Sequence, residues 1–384
     1  MNTSADRLST STAFCVTGTM ASYEKVISFD RIEGTTDVKA RVSCALGADP
    51  AEVAIVKFGY SPSRIAARCT GNWKGRRFFA KMFLADLHPV PARFSAPWEV
   101  PRSEPEPTRA VEDQIETEWY MTHKMYQLSR GRCVPAPLGK SIRTRTVVWE
   151  EAEGVPLIRL IKRSRWRRSV ESSGARLLFR AGSWLKNIHR ASQQGVETID
   201  LRNLINLARD FSRQECAEAS AYDRVVPKVL ETALPEIGST GIFHVPVALT
   251  HGDFCLSNLI GTSADQNLAV IDFELSGMRP IYHDLFALTY ELRSQFLNPI
   301  IPKAVIRSWE ESFWAGYGSV SSEIRVFVKT LALARIFYYD FFRLLTRRQR
   351  KGWIAGMNGQ LYRTFLEPLI LTRRLELPRG FCSS

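Results

Sequence analysis

Apolar residues fall into two different rhythms along this chain. Toward the N-terminus they come in short runs broken by turn residues. Thr36 to Leu46 spaces its apolar positions as a helix would. Val53 to Gly59 is an apolar strand, and Tyr60-Ser61-Pro62-Ser63 is a turn by composition. Arg64 to Cys69 reads as a second strand, Gly71 to Gly75 as a turn, and Arg76 to Leu84 as a third strand. A helical run then covers Glu112 to Leu128, and Thr146 to Trp149 is a further strand.

Beyond residue 150 the period lengthens. Leu177, Leu178, Ala181, Trp184, Leu185 and Ile188 recur at helical spacing and predict a core helix over 177–191. On it, His189 reads as a packed or solvated residue rather than a ligand. Residues 200–235 read as more helix, and the pattern is helical again from Tyr282 onward. In Glu323 to Leu345 the aromatics Phe327, Phe337, Tyr338, Tyr339, Phe341 and Phe342 form a stripe whose plainest use is packing.

These rhythms predict an α+β, bilobal chain. The smaller N-terminal lobe is mixed, with an antiparallel sheet, and the larger C-terminal lobe is mainly helical. The expected division is an N-terminal arm over 1–20, one lobe over 21–150 and another over 151–384. Met1 to Met20 is Ser/Thr-rich and lacks the charged-then-apolar build of a secretion signal. Six prolines between Pro89 and Pro107 mark an extended insertion over about 86–110.

Composition narrows the picture modestly. At 384 residues and 45% hydrophobic, the chain is long enough for two lobes with a sizeable core. No run of 18 apolar residues occurs, which argues against a membrane span. The seven cysteines are scattered and include no C-x-x-C pair, which points to a reducing compartment, the cytoplasm, rather than to disulfides or zinc. Cys255 reads as a small buried filler.

The net charge of +13 is less ordinary. Arg159, Lys162, Arg163, Arg165, Arg167 and Arg168 form one cluster, and Arg343, Arg347, Arg348, Arg350 and Lys351 another. Solvated helix faces are the plain explanation. Peripheral contact with an acidic membrane surface or a polyanion is the sharper one. No zinc spacing or RNA-recognition aromatic motif is present, so no specific nucleic-acid binding is expected.

The chemistry concentrates in two short segments. His251-Gly252-Asp253-Phe254-Cys255-Leu256-Ser257-Asn258 reads H-G-D-x-x-x-x-N, and Ile271-Asp272-Phe273-Glu274 follows it. Phosphoryl transfer needs a carboxylate to take the proton of the attacking hydroxyl, and oxygen ligands for a magnesium ion. An Asp and an Asn on one short loop, with a second Asp on a neighbouring strand end, supply both.

The two segments resemble the aminoglycoside phosphotransferase and choline kinase family, the small-molecule branch of the protein-kinase-like fold. The resemblance implies that Asp253 is the catalytic base, with His251 bracing its loop. It implies Asn258 and Asp272 as Mg2+ ligands, and Asp284 as an acid that steadies the loop from a following helix. It also implies ATP as phosphoryl donor and a small-molecule hydroxyl acceptor.

Such a lobe needs a lysine on its third strand and a glutamate on the next helix. Strand order favours Lys81 for the first role, with Lys57 as second candidate. Glu118 is favoured for the other, with Glu116 behind it. Gly59, Ser61 and Ser63 fall where the phosphates are covered, in a loop with too little glycine to be a G-x-G-x-x-G. Trp149, Glu150, Glu151 and Ala152 fall where the adenine edge would be met.

The basic balance tilts the expected acceptor toward a neutral or anionic sugar or glycan precursor. Glu291, Glu310 and Asp340 are the nearby acids that would instead suit a cationic one. Alternative readings are an aminoglycoside or amino-alcohol kinase, a protein kinase, and an inactive kinase-like binding module. The protein kinase lacks a D-F-G to A-P-E segment here.

Overall fold

A computed structural model describes residues 32, 34–60, 66–84, 111–164, 168–204, 206, 241–262, 267–295 and 301–335. The readings at 1–20, at Ser61 and Ser63, in the proline-rich insertion, and at 343–351 lie outside these residues. So do Asp340, most of 200–235, and the aromatics after Phe327 in the late stripe.

The N-terminal part is a five-stranded antiparallel sheet in the order β1-β2-β3-β5-β4. Its strands are β1 (Val53–Tyr60), β2 (Ala66–Trp73), β3 (Arg76–Phe83), β4 (Pro137–Ser141) and β5 (Thr146–Glu150). Helix α1 (Thr35–Leu46) precedes the sheet and α2 (Val111–Leu128) is inserted in the chain between β3 and β4. Side chains on a strand alternate between faces. On β3, Phe78, Ala80 and Met82 turn toward α1 and join Val38 and Val42 in one core. Phe79, Lys81 and Phe83 have the other parity, and Phe83 packs with Ile115 of α2 and with Val147 and Trp149 of β5. Lys81 therefore lies on the α2 face of the sheet.

The expected turn at Gly71 to Gly75 is shorter than its composition suggests. Strand β2 runs through Gly71 and Asn72 to Trp73, paired with Phe78, Arg77 and Arg76, and only Lys74 and Gly75 reverse the chain. Pairing with β3 overrides local turn propensity here.

The C-terminal part is mainly helical. Short strand β6 (Val155–Pro156) leads into α3 (Leu157–Ser164) and the long α4 (Arg168–Ser192). All six apolar positions of the expected stripe on α4 are buried in one large core. Then come β7 (Val196–Asp200) and β8 (Ile242–Thr250), β9 (Leu259–Gly261), β10 (Leu268–Val270) and β11 (Gly277–Pro280). They build two three-stranded sheets, β10-β9-β6 and β11-β8-β7. Residue 200 closes a strand, and the helix expected over 200–235 follows at once, with 201–204 and 206 helical among the described residues. Helices α5 (Tyr282–Ser294), α6 (Lys303–Tyr317) and α7 (Ser322–Arg335) complete the described chain. Phe327 of α7 is fully buried against Phe243 and Tyr282, so this aromatic is core.

Helices α4 and α6 touch backbone to backbone. A Cβ on Gly316 would lie 1.9 Å from the carbonyl oxygen of Phe179, and one on Gly182 would lie 2.2 Å from that of Phe313. Only glycine permits so close a crossing. Ser183 uses it to donate a hydrogen bond to the carbonyl of Gly316 at 3.1 Å.

Among the described residues no helix is long and apolar enough to cross a membrane.

Candidate active site

The loop between β8 and β9 holds the H-G-D-x-x-x-x-N segment, and its apolar members anchor it. Phe254 and Leu256 are fully buried, with the Phe254 ring stacked 5.9 Å from that of Trp184 on α4. Of its polar members, Asp253 and Ser257 are exposed, while His251 and Asn258 are buried. Gly252 sits at φ 85°, and a Cβ there would lie 2.0 Å from the carbonyl oxygen of Leu275. Both the backbone angle and the space demand glycine.

The loop is clamped from beneath. Asp284, fully buried at the start of α5, accepts from the amide of His251 at 2.8 Å and from that of Gly252 at 2.9 Å. His189 Nε2 donates to the same carboxylate at 3.1 Å, and His189 Nδ1 accepts from the hydroxyl of Tyr317 at 2.8 Å. Burial raises the Asp284 carboxyl, but His189 and the loop amides prevail and hold it below the ordinary range. His189 is thus packed, as the sequence suggested, and it is also a hydrogen-bonded member of the clamp. Its place on the apolar stripe of α4 is the signal, since a buried imidazole needs partners. Glu291 adds a further tie through the amide of Leu256.

His251 turns inward. Its Nε2 donates to the carbonyl of Ile271 at 3.0 Å, and its Nδ1 accepts from the amide of Asp253 at 3.3 Å. One imidazole thereby fixes the Asp253 backbone against the Asp272 segment. The Asn258 amide group donates to the Asp253 carbonyl at 3.0 Å and to its carboxylate at 2.9 Å. Burial pushes the Asp253 carboxyl up and the charge of Asp272 adds to this, while His251 and Asn258 act against both. Cys255 is half-buried rather than filled in, and burial raises its thiol.

Asp272 lies two residues beyond the end of β10 at Val270, not on the strand itself, and its backbone is left-handed at φ 73°. Asp tolerates that region better than most residues. The turn aims its carboxylate at the N-terminal sheet. There the Lys81 ammonium lies 2.9 Å from Asp272 Oδ1, 3.0 Å from Glu118 Oε2 and 2.6 Å from Glu274 Oε2. Burial disfavours the charge on Lys81, but the three acids outweigh it and hold the ammonium well above its usual range. Burial raises Glu118 to about 8 against the pull of Lys81. For Asp272, burial is overcome by Lys81, with Arg68 and His251 assisting, and the carboxyl stays below its usual range.

The alternatives sit elsewhere. Lys57 is exposed on β1, and Glu116 faces outward in a pair with Lys140. Glu274, the last residue of the Ile271-Asp272-Phe273-Glu274 segment, joins the cluster without a motif to mark it. It lies in the turn just past Asp272, and its carboxylate reaches the same ammonium.

The remaining expected residues are more loosely placed. Gly59 lies on β1 opposite Arg68, with open space where a Cβ would be. Trp149 is buried and stacks on Phe79 at 6.1 Å. Glu150 and Glu151 pair with Arg76 and Arg77, and their amides donate to the carbonyls of Ala136 and Arg77. The amide of Ala152 meets no protein acceptor among the described residues.

An antiparallel sheet carrying a lysine, a helix carrying its glutamate, and a helical half carrying an acid-rich loop define the protein-kinase-like class of fold. The chain belongs to the phosphotransferase enzyme family, whose model matches residues 123–326, more than half of its length. The match takes in the loop, Asp272 and Asp284, and begins after Lys81 and Glu118. No curated protein sequence matches the chain significantly. Among solved structures, an aminoglycoside phosphotransferase from Alicyclobacillus acidocaldarius has a TM-score of 0.47 at 14% identity, over 84% of this chain and 92% of that one. A glucosamine kinase gives 0.47 at 14%, over 88% of this chain and 84% of its own. An amicoumacin kinase gives 0.46 at 14%, over 88% and 96%. The protein is a phosphotransferase of the small-molecule kinase kind, with an alcohol group as acceptor.

Proposed function

We propose that the protein transfers the γ-phosphoryl group of ATP, with Mg2+, to a hydroxyl of a neutral or anionic sugar-type acceptor. The observation that carries this reading is the buried Lys81 ammonium, held between Glu118 on one side and Asp272 on the other. A lysine so placed is fixed, charged and aimed at the junction of the two halves. Residues 21–150 would serve the nucleotide, and 151–384 the acceptor and the chemistry.

The donor set suits magnesium, a hard cation that takes oxygen ligands. The Asn258 nitrogen is spent on Asp253, which leaves its carbonyl oxygen for a metal, and Asp272 is held ionised beside it. Asn258 and Asp272 would hold the ion, which when bound neutralises charge on the phosphates. Lys81 holds the α- and β-phosphates, and Glu118 orients Lys81. The hinge over Trp149 to Ala152 meets the adenine edge, and Gly59 with Ser61 and Ser63 covers the phosphates. Asp253 orients the acceptor hydroxyl and takes its proton, and His251 sets the loop geometry. Most of the rate comes from position and charge.

The acceptor reading rests on charge. The chain carries +13 overall. Of the acids that would suit a cationic acceptor, Glu310 is buried in a two-pronged pair with Arg293 at 2.8 and 3.0 Å, and Glu291 is tied to the Leu256 amide. A cytoplasmic setting fits the free thiols of Cys44, Cys69, Cys133 and Cys255.

The test is a thermal-shift screen of sugars, sugar phosphates, amino alcohols and aminoglycosides with a non-hydrolysable ATP analogue and magnesium, followed by turnover assays on the hits. Sugar-type compounds should shift the melting temperature and be phosphorylated. Faster turnover of a cationic compound than of any sugar or anion would overturn the acceptor reading. Absence of any nucleotide shift would overturn the ATP reading.

A further inference from the structure

Strand β2 places a second cation beside Lys81. In the β2–β3 ladder Arg68 is directly opposite Lys81, and in the β1–β2 ladder the residue opposite Arg68 is Gly59. Directly opposed residues share a face, with Cβ atoms about 5 Å apart. The parity agrees: Ala67 and Cys69 belong to the core under α1, so Arg68 lies on the other face, with Phe79, Lys81 and Phe83.

Two like charges directly opposed across a ladder are unfavourable. Lys81 is compensated by three acids. Arg68 is not. It is exposed, and no acid of the described residues lies within salt-bridge distance of it. Its charge is nonetheless felt at Asp272, behind that of Lys81. The guanidinium thus belongs to the same electrostatic site without being consumed by it. Among the described residues, nothing lies within 4 Å of where a Cβ on Gly59 would be. An exposed cation with no ion-pair partner among the described residues, opposed to a buried cation, is an arrangement that a bound anion would relieve. A guanidinium suits phosphate oxygens in particular, because its fork can engage two of them at once.

We propose that Arg68 is a second phosphate-binding cation of the nucleotide site, acting from the strand above while Lys81 acts from the strand beside it. This rests on the reading of Lys81 as the nucleotide lysine. It adds a residue that no motif marks: the sequence around Arg68 holds no glycine-rich phosphate loop, and a guanidinium on the strand takes over part of that loop's work. The ligand is the polyphosphate of the nucleotide, not its base or ribose.

The experiment measures binding of adenosine, ADP and ATP, each with magnesium, to the full-length wild-type protein and to Arg68→Gln and Arg68→Lys by titration calorimetry. A charge-assisted contact of this kind is worth about tenfold in affinity or more. Arg68→Gln should therefore lose about tenfold or more for ATP and retain wild-type affinity for adenosine. Arg68→Lys should recover part of the loss. ATP affinity of Arg68→Gln within twofold of wild type overturns the proposal. So does an equal loss for adenosine, which would give Arg68 a part in shaping the base pocket instead. Failure of the wild-type protein to bind ATP would overturn the underlying reading of Lys81, a separate outcome visible before either variant is made.

Discussion

Lys81 and Asp272 stand 191 residues apart in the chain and 2.9 Å apart in space. One belongs to the sheet of the N-terminal part and the other to the turn after β10. Their contact, joined by Glu118 and Glu274, places a single ammonium at the seam between the two cores.

Replacing Lys81 with Ala should cripple ATP turnover far more than replacing Lys57 with Ala. Lys81 is buried among three acids, and Lys57 projects into solvent from the outer strand of the sheet. Steady-state kinetics on the two variants decides the matter. The reverse ranking would move the nucleotide site to another part of the sheet.

Asp253→Asn should leave the fold and ATP affinity intact while lowering turnover by at least about a hundredfold, the usual scale of general acid–base catalysis. The loop is anchored by Phe254, Leu256 and the Asp284 clamp, none of which the substitution touches. Near-wild-type turnover would remove Asp253 from the role of base.

His283 gives the stability a pH signature. Burial, aided by Arg279, lowers its folded pKa from 6.5 to about 4. The unfolded chain therefore takes up this proton first as pH falls. The contribution is full above about pH 6.5 and is lost progressively down to about pH 4, below which both states are protonated. Its size is roughly 1–3 kcal/mol. Urea titrations of wild type and His283→Gln at several pH values check this. The stability difference between the two should change across that window, and a constant difference would mean that His283 titrates normally in the folded protein.

Gly316→Ala should destabilise the protein by about 2 kcal/mol or more, since overpacking of this kind is costly and the atom opposed is backbone rather than a yielding side chain. Tyr317, the next residue, carries the hydroxyl that supports His189. Chemical denaturation measures the loss, and an unchanged midpoint would show that α4 and α6 can part without cost.

The sequence revealed the parts of the site whose chemistry is contiguous. Asp253 and Asn258 share one loop, and Asp272 follows within an apolar segment, so motif and spacing sufficed. The stripe on α4 was legible because one face of a helix repeats along the chain. What escaped depends on contacts made in three dimensions. Glu274 meets Lys81 across 193 residues and His189 meets Tyr317 across 128. No local pattern encodes such a meeting. The end of β2 was misjudged for a related reason: Gly71 and Asn72 carry turn-like local preferences, and it is the pairing with Phe78 and Arg77 that keeps them extended. Strand β7 was missed likewise, because Val196 to Asp200 becomes a strand only through its pairing with β8.

The crowding of acids around Lys81 makes the site an ion exchanger. Three acids surround one ammonium, so acidic groups are in excess around it. On the proposed function, phosphate oxygens would draw on the ammonium as a metal ion takes up Asp272, so nucleotide and metal would enter together. A bare polyanion would meet acids it cannot neutralise. Such an exchange would couple the two halves of the molecule, because Lys81 belongs to one and Asp272 and Glu274 to the other.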